Sequence, residues 1–434
     1  MEWLTTLALM LGMVVGLMAL GVPVAFAFLI ADLVGAWVFL GGPHGLGQLI
    51  GNAISSVTLF TLVPVPLFLI MGELFFHTGL AMRVFDALDL CLGRVRGRLS
   101  YMTVIGGTMF ATLSGSSIAN TAMLGSLMVP EMSRRGYKPA MAIGPILGTG
   151  GLAMIIPPSS LAVLLASLAK LDVGKVLIAG LLPGLILALM YIGLIWLRLR
   201  LDPEAAPGYD VAPVPLRRKI VALLRDMLPM GLVVALVIGV ILGGIATPSE
   251  AAAFGVVGVA TLAAVLRCLT WKALVASLRG ALRVTAMAFL IIMMSATFAQ
   301  ILAFSGASGG LITWATSGQV SPLLLLTAMF GALLVLGMFM DQLSMMLLTV
   351  PIFFPLAIQF GFDPVWFAVI VLLGLEISLT TPPFGLLLFV MKGVAPPGTG
   401  MRTIYLAAIP FMACGFGLVL LLVAFPDIAL VLVR

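Results

Sequence analysis

Long apolar stretches limit what this chain can fold into more than any other feature. Hydrophobic residues fill 62% of the 434 positions and charged residues only 9%. Many stretches reach the roughly 20 apolar residues that a helix needs to cross a bilayer. Backbone polar groups in hydrocarbon must be paired inside the protein, and a continuous apolar stretch pairs them as a helix. The sequence therefore predicts an all-α polytopic membrane protein.

Ten or eleven crossings are expected, and ten can be placed directly. Those in the first half are 4–20, 22–40, 54–78, 139–169 and 174–198. Those in the second half are 229–245, 250–266, 284–304, 365–391 and 404–426. Residues 198–226 between the halves are rich in proline and charge, which predicts a loop.

The two halves repeat each other at a constant offset of 225 residues. The matched pairs include Pro23 with Pro248, Gly106 with Gly331, Pro130 with Pro355, and Pro157-Pro158 with Pro382-Pro383. So many coincidences without a gap indicate an internal duplication. Weak internal symmetry of this kind is typical of transporters.

Each half also contains an apolar segment that is interrupted at its middle. These segments are 100–130, broken at LSGSS (113–117), and 323–354, broken at MFMDQ (338–342). Arms of about 15 residues extend about 22 Å, which is short of a hydrocarbon core of about 30 Å. We therefore predict two re-entrant hairpins. Five full crossings per half then make the second repeat inverted.

The distribution of basic residues supports this inverted topology. It places 19 of the 22 Lys and Arg on one side and leaves Lys170, Lys175 and Arg434 on the other. The basic side is expected to be cytoplasmic, so both termini are predicted to be periplasmic. Two amphipathic segments, 84–99 and 270–284, are predicted to lie in the interface at corresponding places of the two repeats.

These elements divide the chain into two repeats and a linker. The first repeat, 1–198, comprises scaffold spans 1–78, an interfacial arm 79–99, hairpin one 100–130, and a broken helix with the last span 138–198. A cytoplasmic linker covers 199–228. The second repeat, 229–434, comprises scaffold spans 229–304, hairpin two 323–354, and a broken helix with the last span 364–426.

The double prolines mark the predicted functional site. Proline lacks an N–H and clashes with the carbonyl four residues earlier, so the carbonyls of Ala153, Met154, Ser378 and Leu379 are expected to lose their helical partners. Symmetry places both breaks near the bilayer midplane, opposite the two hairpin tips. The tips contribute Ser114, Gly115, Ser116, Ser117 and Asn120 from one hairpin, and Asp341, Gln342 and Ser344 from the other.

The chemistry of this set favours a small cation together with an anion. Carbonyls, hydroxyls and a carboxylate are hard oxygen ligands that suit Na⁺, with sodium expected near Ser116 and near Asp341. Helix N-termini favour anions. Because no Arg or Lys falls within a predicted span core, an anionic substrate is expected to bind well only beside the cation. No other cofactor is expected.

Four further acidic residues lie inside the predicted spans. Asp32, Glu73 and Glu376 lack visible partners in the sequence, so a structural pair and an ion or proton role both stay open. Glu250 follows Pro248 and is expected to cap a helix. Two further expectations are an interfacial His77 and a His44 that lies in a loop.

Two other function classes fit less well. The stretch GASGG (306–310) matches a serine-hydrolase motif, but both histidines lie early in the chain, far from a nucleophile at Ser308. No zinc-protease or Walker motif is present, so we expect no enzyme activity. A passive channel could also use hairpins from both sides. Two proline breaks and an aspartate at one tip favour a saturable site instead.

The sequence resembles the large membrane subunit of tripartite ATP-independent periplasmic (TRAP) transporters over nearly its whole length. The resemblance is strongest in 114–159, which begins SGSSIANTAM, in ATPSEAAAFG (246–255), and in 337–390, which begins GMFMDQLSMM. It implies Na⁺-driven import of an organic acid by an elevator-type motion, in a bacterial inner membrane. It also implies a separate small membrane subunit and a periplasmic substrate-binding protein.

The resemblance also implies which residues bind ions. One region maps onto Ser114–Ser117 and the turn Pro157, Pro158 and Ser159, and the other maps onto Asp341 and the stretch Thr380, Thr381, Pro382, Pro383 and Gly385. The segment ILGTGGLAMIIPPS is richer in glycine than the family pattern, which leaves the ligands of the first region open. A stand-alone Na⁺/carboxylate symporter of similar architecture, without a binding protein, is the alternative.

Overall fold

The computed structural model describes residues 3–93, 95–114, 116–208, 215–318 and 320–434, and all regular elements among them are helices. The first half contains α1 (Trp3–Ala19), α2 (Val24–Phe39), α3 (Pro43–Val57), α4 (Pro64–His77), α5 (Leu80–Leu92), α6 (Arg98–Ser114), α7 (Ser117–Arg134), α8 (Pro139–Ala142), α9 (Gly144–Gly151), α10 (Ser160–Leu168) and α11 (Val173–Leu201). The second half contains α12 (Leu216–Ala222), α13 (Leu228–Leu242), α14 (Pro248–Val265), α15 (Trp271–Phe304), α16 (Ala307–Ser317), α17 (Pro322–Leu336), α18 (Gln342–Gln359), α19 (Pro364–Ser378), α20 (Leu386–Val394), α21 (Met401–Ala424) and α22 (Asp427–Leu430).

Seven helical segments of the described chain are long and apolar enough to cross a bilayer. Five shorter apolar helices accompany them, as expected when crossings are broken near their middle. The structure therefore confirms an all-α polytopic membrane protein.

The offset of 225 residues seen in the sequence also relates the helices. Helix α7 spans Ser117–Arg134 and α18 spans Gln342–Gln359, so both ends of these helices keep the offset. The same shift matches α1 with α13, α2 with α14, α5 with α16, α6 with α17, α10 with α20 and α11 with α21. The peptide bonds Pro157-Pro158 and Pro382-Pro383 are both cis. The fold is thus an inverted repeat down to its irregular positions.

The predicted span 54–78 is confirmed over Phe60–His77, which is long and apolar enough to cross a bilayer, but residues 54–57 belong to a different helix. Helix α3 already begins at Pro43, follows Gly42 at φ 66°, and ends at Val57. After a short 3₁₀ turn, Phe60–Leu62, a separate helix begins at Pro64. Proline suits the first turn of a helix and disfavours its interior, so each proline starts a new helix. His44, which we expected in a loop, lies in the first turn of α3.

One continuous helix in the second repeat, α15, corresponds to two separate helices in the first repeat, α3 and α4. Helix α15 runs through Trp271–Phe304 without interruption, so the predicted interfacial segment 270–284 and the span 284–304 form one helix. At the offset of 225 residues, 270–284 corresponds to α3 and not to 84–99 as the sequence suggested; the match of α5 is α16. Trp271–Phe304 contains no proline, whereas the matching part of the first repeat contains Pro64 and Pro66.

The segment between the repeats is more helical than predicted. Helix α11 continues to Leu201, and α12 leads through a π-helical turn, Leu223–Met227, into α13. Lys219 Nζ donates to the Cys91 carbonyl of α5 at 3.0 Å. At the end of α11, Lys138 Nζ contacts Asp202 Oδ2 at 2.6 Å, and this hydrogen bond lowers the pKa of Asp202. These contacts fix the connecting segment to the first repeat.

Two groups of helices form the core. In one group α2 and α4 pack on α15, with Phe28 and Phe298 in edge-to-face contact at 5.3 Å between ring centroids. In the other group α9 is buried at every residue and α19 is buried from Trp366 to Ser378. Helices α6, α7, α11 and α21 surround this second group. The broken helices are therefore shielded from lipid, as unpaired backbone groups require.

Glycine on α11 lets that helix approach the first break closely. A Cβ added at Gly180 would lie 2.3 Å from the Ile155 carbonyl oxygen. Gly193 lies on the same helix with nothing within 4 Å of its added Cβ. Only the first of these glycines is required by packing.

We predict that Gly180→Ala destabilises the protein by about 1–3 kcal/mol, because the methyl group displaces the backbone of the break. Gly193→Ala is the matched control and should be neutral or stabilising by up to about 1 kcal/mol, since alanine favours helix. Thermal unfolding of both variants in detergent checks this. Equal melting temperatures for the two variants would contradict the packing described here.

Candidate functional site

The two hairpin tips touch each other at residues related by the repeat. Gln342 Nε2 donates to Ser117 Oγ at 3.4 Å, and these residues begin α18 and α7. Because they differ by the offset of 225, the pseudo-twofold axis must pass between them. The tips therefore form one polar region shared by both repeats.

A second pair of repeat mates meets where the broken helices pack together. A Cβ added at Gly151 would lie 1.9 Å from Glu376 Cγ, so the glutamate occupies space that the glycine leaves. Glu376 is only 4% exposed, and Tyr191 donates its hydroxyl to Glu376 Oε1 at 3.4 Å. Tyr191 is thus the partner that the sequence did not reveal. Both contacts between repeat mates lie on the pseudo-twofold axis.

Side-chain caps orient the helix N-termini at the tips. Ser116 Oγ accepts from the Ala119 N–H at 3.3 Å, which starts α7. Its repeat mate Asp341 accepts from the Ser344 N–H at 2.9 Å and from the Ser344 hydroxyl at 2.7 Å. Such caps use one of the free N–H groups of each first turn and leave others available. An anion at this level would meet positive helix ends.

The first break is more fully hydrogen-bonded than the sequence suggested. Ser159 Oγ donates to the Met154 carbonyl at 2.8 Å and also accepts from the Ala162 N–H, so that it caps α10. The Met154 carbonyl has thus lost its helical partner, as predicted, because residue 158 is proline, and a side chain pairs with it instead. The serine directly after the double proline supplies the missing donor.

The second break is also paired within the protein. The Ser378 carbonyl accepts from the Thr381 N–H and the Leu379 carbonyl from the Leu387 N–H, both at 3.1 Å. Turn geometry after the break supplies these donors, and neither carbonyl keeps its helical partner, as predicted, because the residues four positions later are Pro382 and Pro383. A carbonyl oxygen has two lone pairs, so each can still face a cation as a second partner.

The hairpins close over both breaks. Asn120 Nδ2 donates to the Thr149 carbonyl at 3.0 Å, just before the first break. The Asn120 side chain is fully buried and its Oδ1 has no hydrogen-bond partner within the described residues. On the second hairpin, a Cβ at Gly337 would lie 2.1 Å from Ser378 Oγ. The hairpin arms thus bring polar atoms of tip and break together.

A cavity of about 210 Å³, here called the tip cavity, lies beside the hairpin tips. Its polar lining comprises Glu73, Ser116, Ser117, Ser160, Asp341 and Gln342. No Lys or Arg lines it among the described residues. Its lining residues come from α4 and α15 and from α7, α10 and α18.

Sequence reasoning missed two residues of this cavity. Glu73 was left open, and it reaches the cavity while its Oε2 lies 3.2 Å from His77 Nε2. Gly280 on α15 leaves room for it, because a Cβ there would lie 2.5 Å from Glu73 Oε2. Ser160 follows the capping Ser159 and was not considered. Only the rarity of carboxylates in spans pointed to Glu73.

Other candidate residues lie away from the tip cavity. Pro157 and Pro158 line a small void against α11 and α13, and Pro383 accepts a hydrogen bond from the Tyr405 hydroxyl at 2.7 Å. Thr380 and Thr381 donate their hydroxyls to the Ile377 carbonyl. Gly115 lies outside the described residues, and Ser114 is the last residue of α6.

The remaining polar residues lie outside the tip cavity. Thr247 and Glu250 form a capping box at the start of α14, as expected. Asp32 is buried on α2, which packs against α15. Cys91, Cys268 and Cys414 are free thiols. Ser308, in the stretch that matches a hydrolase motif, lies within α16.

The fold and the shared polar region define a membrane transporter with inverted repeats. Solved structures with this fold include the YdaH transporter of Alcanivorax borkumensis (TM-score 0.65, 15% identity, 93% of this chain and 98% of that chain). MtrF of Neisseria gonorrhoeae, described as an antimetabolite efflux pump, is similar at a TM-score of 0.63 with 13% identity over 94% of each chain.

Comparison of the sequence with known proteins identifies the family. Residues 11–428 match the family described as the DctM component of tripartite ATP-independent periplasmic transporters. The chain is 32% identical to the C4-dicarboxylate TRAP transporter large permease of Pseudomonas aeruginosa over 91% of both chains. It is 29% identical to the sialic acid large permease of Vibrio cholerae over 96% of both, and 28% identical to the ectoine large permease of Halomonas elongata over 98% of both. The protein belongs to the DctM family of TRAP transporter large permeases.

We predict that cysteines at the two tip residues cross-link. In a background with Cys91, Cys268 and Cys414 changed to serine, Ser117→Cys with Gln342→Cys should react intramolecularly with a short bis-methanethiosulfonate reagent, because the tips touch. Ser126→Cys with Gln342→Cys is the control, since Ser126 lies about 13 Å further along α7. Mass spectrometry after proteolysis checks the product. Equal yields from both pairs would contradict the tip contact.

Proposed function

We propose that this large permease imports an organic acid by coupling its movement to Na⁺. One observation carries the proposal: the tips of both hairpins meet at the pseudo-twofold axis beside a cavity that Asp341 lines and that no Lys or Arg of the described chain lines. An organic anion cannot be held there by a basic side chain. Its charge must therefore be balanced by helix N-termini and by a cation that binds with it.

The residues present suit Na⁺. The fully buried Asn120 Oδ1 has no partner within the described chain, and an orphaned buried oxygen is costly unless something pairs with it. Asp341, Ser344, Ser116 and Ser117 would supply further hard oxygens near the tips. Carbonyls at Ala153, Met154, Ser378 and Leu379 each offer a lone pair. When bound, the ion would supply positive charge beside the substrate.

The chain's own groups would hold the substrate anion. The N-terminal turns of α7, α10 and α18 present N–H groups that favour negative charge. The hydroxyls of Ser116, Ser117 and Ser160 can donate to a carboxylate at the lining of the tip cavity. These neutral donors are individually weak, which makes binding depend on the cation and thereby couples the two solutes.

The movement we propose is an elevator motion of one helix group against the other. The hairpins α6–α7 and α17–α18, with the broken helices and α11 and α21, would move as one body. Helices α1–α4 and α13–α15 would stay fixed as the scaffold. The tip cavity supports this division because it lies between α4 and α15 on one side and α7, α10 and α18 on the other.

The family name implies two further components: a periplasmic substrate-binding protein and a small membrane subunit. We propose that this chain works with both in a bacterial inner membrane, with its two termini in the periplasm. Relatives are named for C4-dicarboxylates, sialic acid and ectoine, and these names support an organic acid as the substrate. The binding protein would select among such solutes.

Uptake into proteoliposomes tests the function. The permease and its small subunit are reconstituted, and labelled acid is supplied with or without the binding protein and an inward Na⁺ gradient. We expect uptake only when the binding protein and the inward Na⁺ gradient are both present. Uptake that ignores sodium would contradict the coupling. Sodium-driven uptake without the binding protein would favour the stand-alone symporter.

We predict that Asp341→Asn raises the sodium concentration for half-maximal uptake by about tenfold or more, because losing a unit charge beside a cation costs more than about 1.4 kcal/mol. Asp363→Asn is the matched control. Asp363 also caps a helix, accepting from the Val365 N–H at 2.8 Å, but lies at the far end of α19. Sodium titrations of uptake check both variants. Unchanged sodium dependence in Asp341→Asn would remove Asp341 from the ion site.

A further inference from the structure

A second cavity, of about 490 Å³, lies next to the tip cavity. Its lining includes Lys170, and we call it the lysine cavity; the other polar lining residues are Ser56, Thr61, Ser167 and Ser295. Ser167 Oγ donates to the Thr61 carbonyl at 3.0 Å, which closes one wall between α10 and the 3₁₀ turn before α4. A volume of this size suits a small organic ligand.

The two cavities are consecutive along the same three helices. Residues that line the tip cavity are followed, one helical turn later, by residues that line the lysine cavity. These steps are Leu164 to Ser167 on α10, Ala288 to Ile292 on α15, and Leu343 to Met346 on α18. One turn rises about 5.4 Å. A solute in the lysine cavity would therefore be next to the hairpin tips.

The backbone at Lys170 would suit glycine better. Lys170 follows α10 at φ 57°, and the Leu171 N–H reaches back to the Ala166 carbonyl at 2.8 Å. This is the Schellman arrangement, whose left-handed residue is usually glycine because other residues are strained there. A lysine at the position is therefore disfavoured by the local conformation, although a cation does suit the end of a helix.

The ammonium group of Lys170 has no acidic partner within the described protein. None of the ion pairs among the described residues includes it, and its matching position in the second repeat is Ala395. Among the residues that the structure describes, the neighbouring tip cavity is lined by Glu73 and Asp341 and by no Lys or Arg. An anion would thus meet positive charge in the lysine cavity before it meets carboxylates at the tips.

We propose that the lysine cavity is a capture site for the carboxylate of the transported acid, with Lys170 Nζ as the binding cation. This rests on the proposed function, since it takes the cargo to be an organic anion. Lys170 is one of three basic residues that the sequence places on the periplasmic side, where an incoming substrate would arrive. The acid binds there first, and transfer to the tips then requires sodium.

Thiol reactivity tests the site without knowledge of the acid. Ser295→Cys is introduced into the background that has Cys91, Cys268 and Cys414 changed to serine. Its reaction rates with sulfonatoethyl and trimethylammonioethyl methanethiosulfonate, one anionic and one cationic, are compared. Lys170→Gly should lower the anionic-to-cationic rate ratio at least about fivefold, because Lys170 and Ser295 line the same cavity. Two unit charges about 10 Å apart at an effective dielectric of about 20 interact by more than thermal energy.

Two controls sharpen the result. Lys170→Arg keeps the charge and should keep the ratio, and the ratio at Ser126→Cys, far from Lys170, should not respond to Lys170→Gly. Because glycine suits the left-handed backbone, Lys170→Gly should fold at least as stably as the parent protein. A ratio at residue 295 that is unchanged in Lys170→Gly, or lowered equally in Lys170→Arg, would overturn the proposal.

Transport then tests the role of the site. In reconstituted transporter, Lys170→Gly should raise the KM for the acid by about tenfold, which equals about 1.4 kcal/mol, without changing kcat or the sodium dependence. Weakened binding of the binding protein with an unchanged KM for the acid would assign Lys170 to docking and overturn the capture role. If the parent protein shows no sodium-driven uptake, the proposed function fails while the thiol ratio still decides the anion site.

Discussion

The contact between repeat mates across the pseudo-twofold axis is the constraint on which the rest of this structure depends. Two broken helices can exist inside a bilayer only if their freed polar groups are buried in protein. Here the hairpins cover the breaks, the tips meet at Ser117 and Gln342, and Glu376 fills the space beside Gly151. The duplication thus produces the candidate site as well as the fold, because each hairpin covers the break of its own half and the two halves meet at the axis.

The two repeats are alike in backbone and different in side chains. Asn120 reaches the first break, whereas its repeat mate Met345 places a sulfur 3.9 Å from the Ser378 hydroxyl at the second break. Ser116 and Asp341 cap matching helices, but only one of them has a carboxylate. A symmetric fold therefore carries an asymmetric site, in which charge is concentrated on the second hairpin.

Much of this could be predicted from the sequence because the information is local or periodic. Apolar stretches indicate crossings, and the offset of Pro23 from Pro248 extends to the tips and breaks. What could not be predicted depends on tertiary contacts. The partners of Glu73 and Glu376, the donor from Ser159 to Met154, and the turn that pairs Leu379 all require the folded chain. We predicted one span over 54–78, although Pro64 indicates that a new helix begins within it.

The proposed function depends on the claim that one site at the hairpin tips binds the cation and the acid together. Equilibrium binding to the purified complex tests this most directly, with the acid that uptake identifies. If the solutes share a site, sodium should raise the affinity for the acid, and the acid should raise the affinity for sodium by the same factor, because coupling free energies are reciprocal. Affinities for each solute that do not respond to the other would contradict the claim.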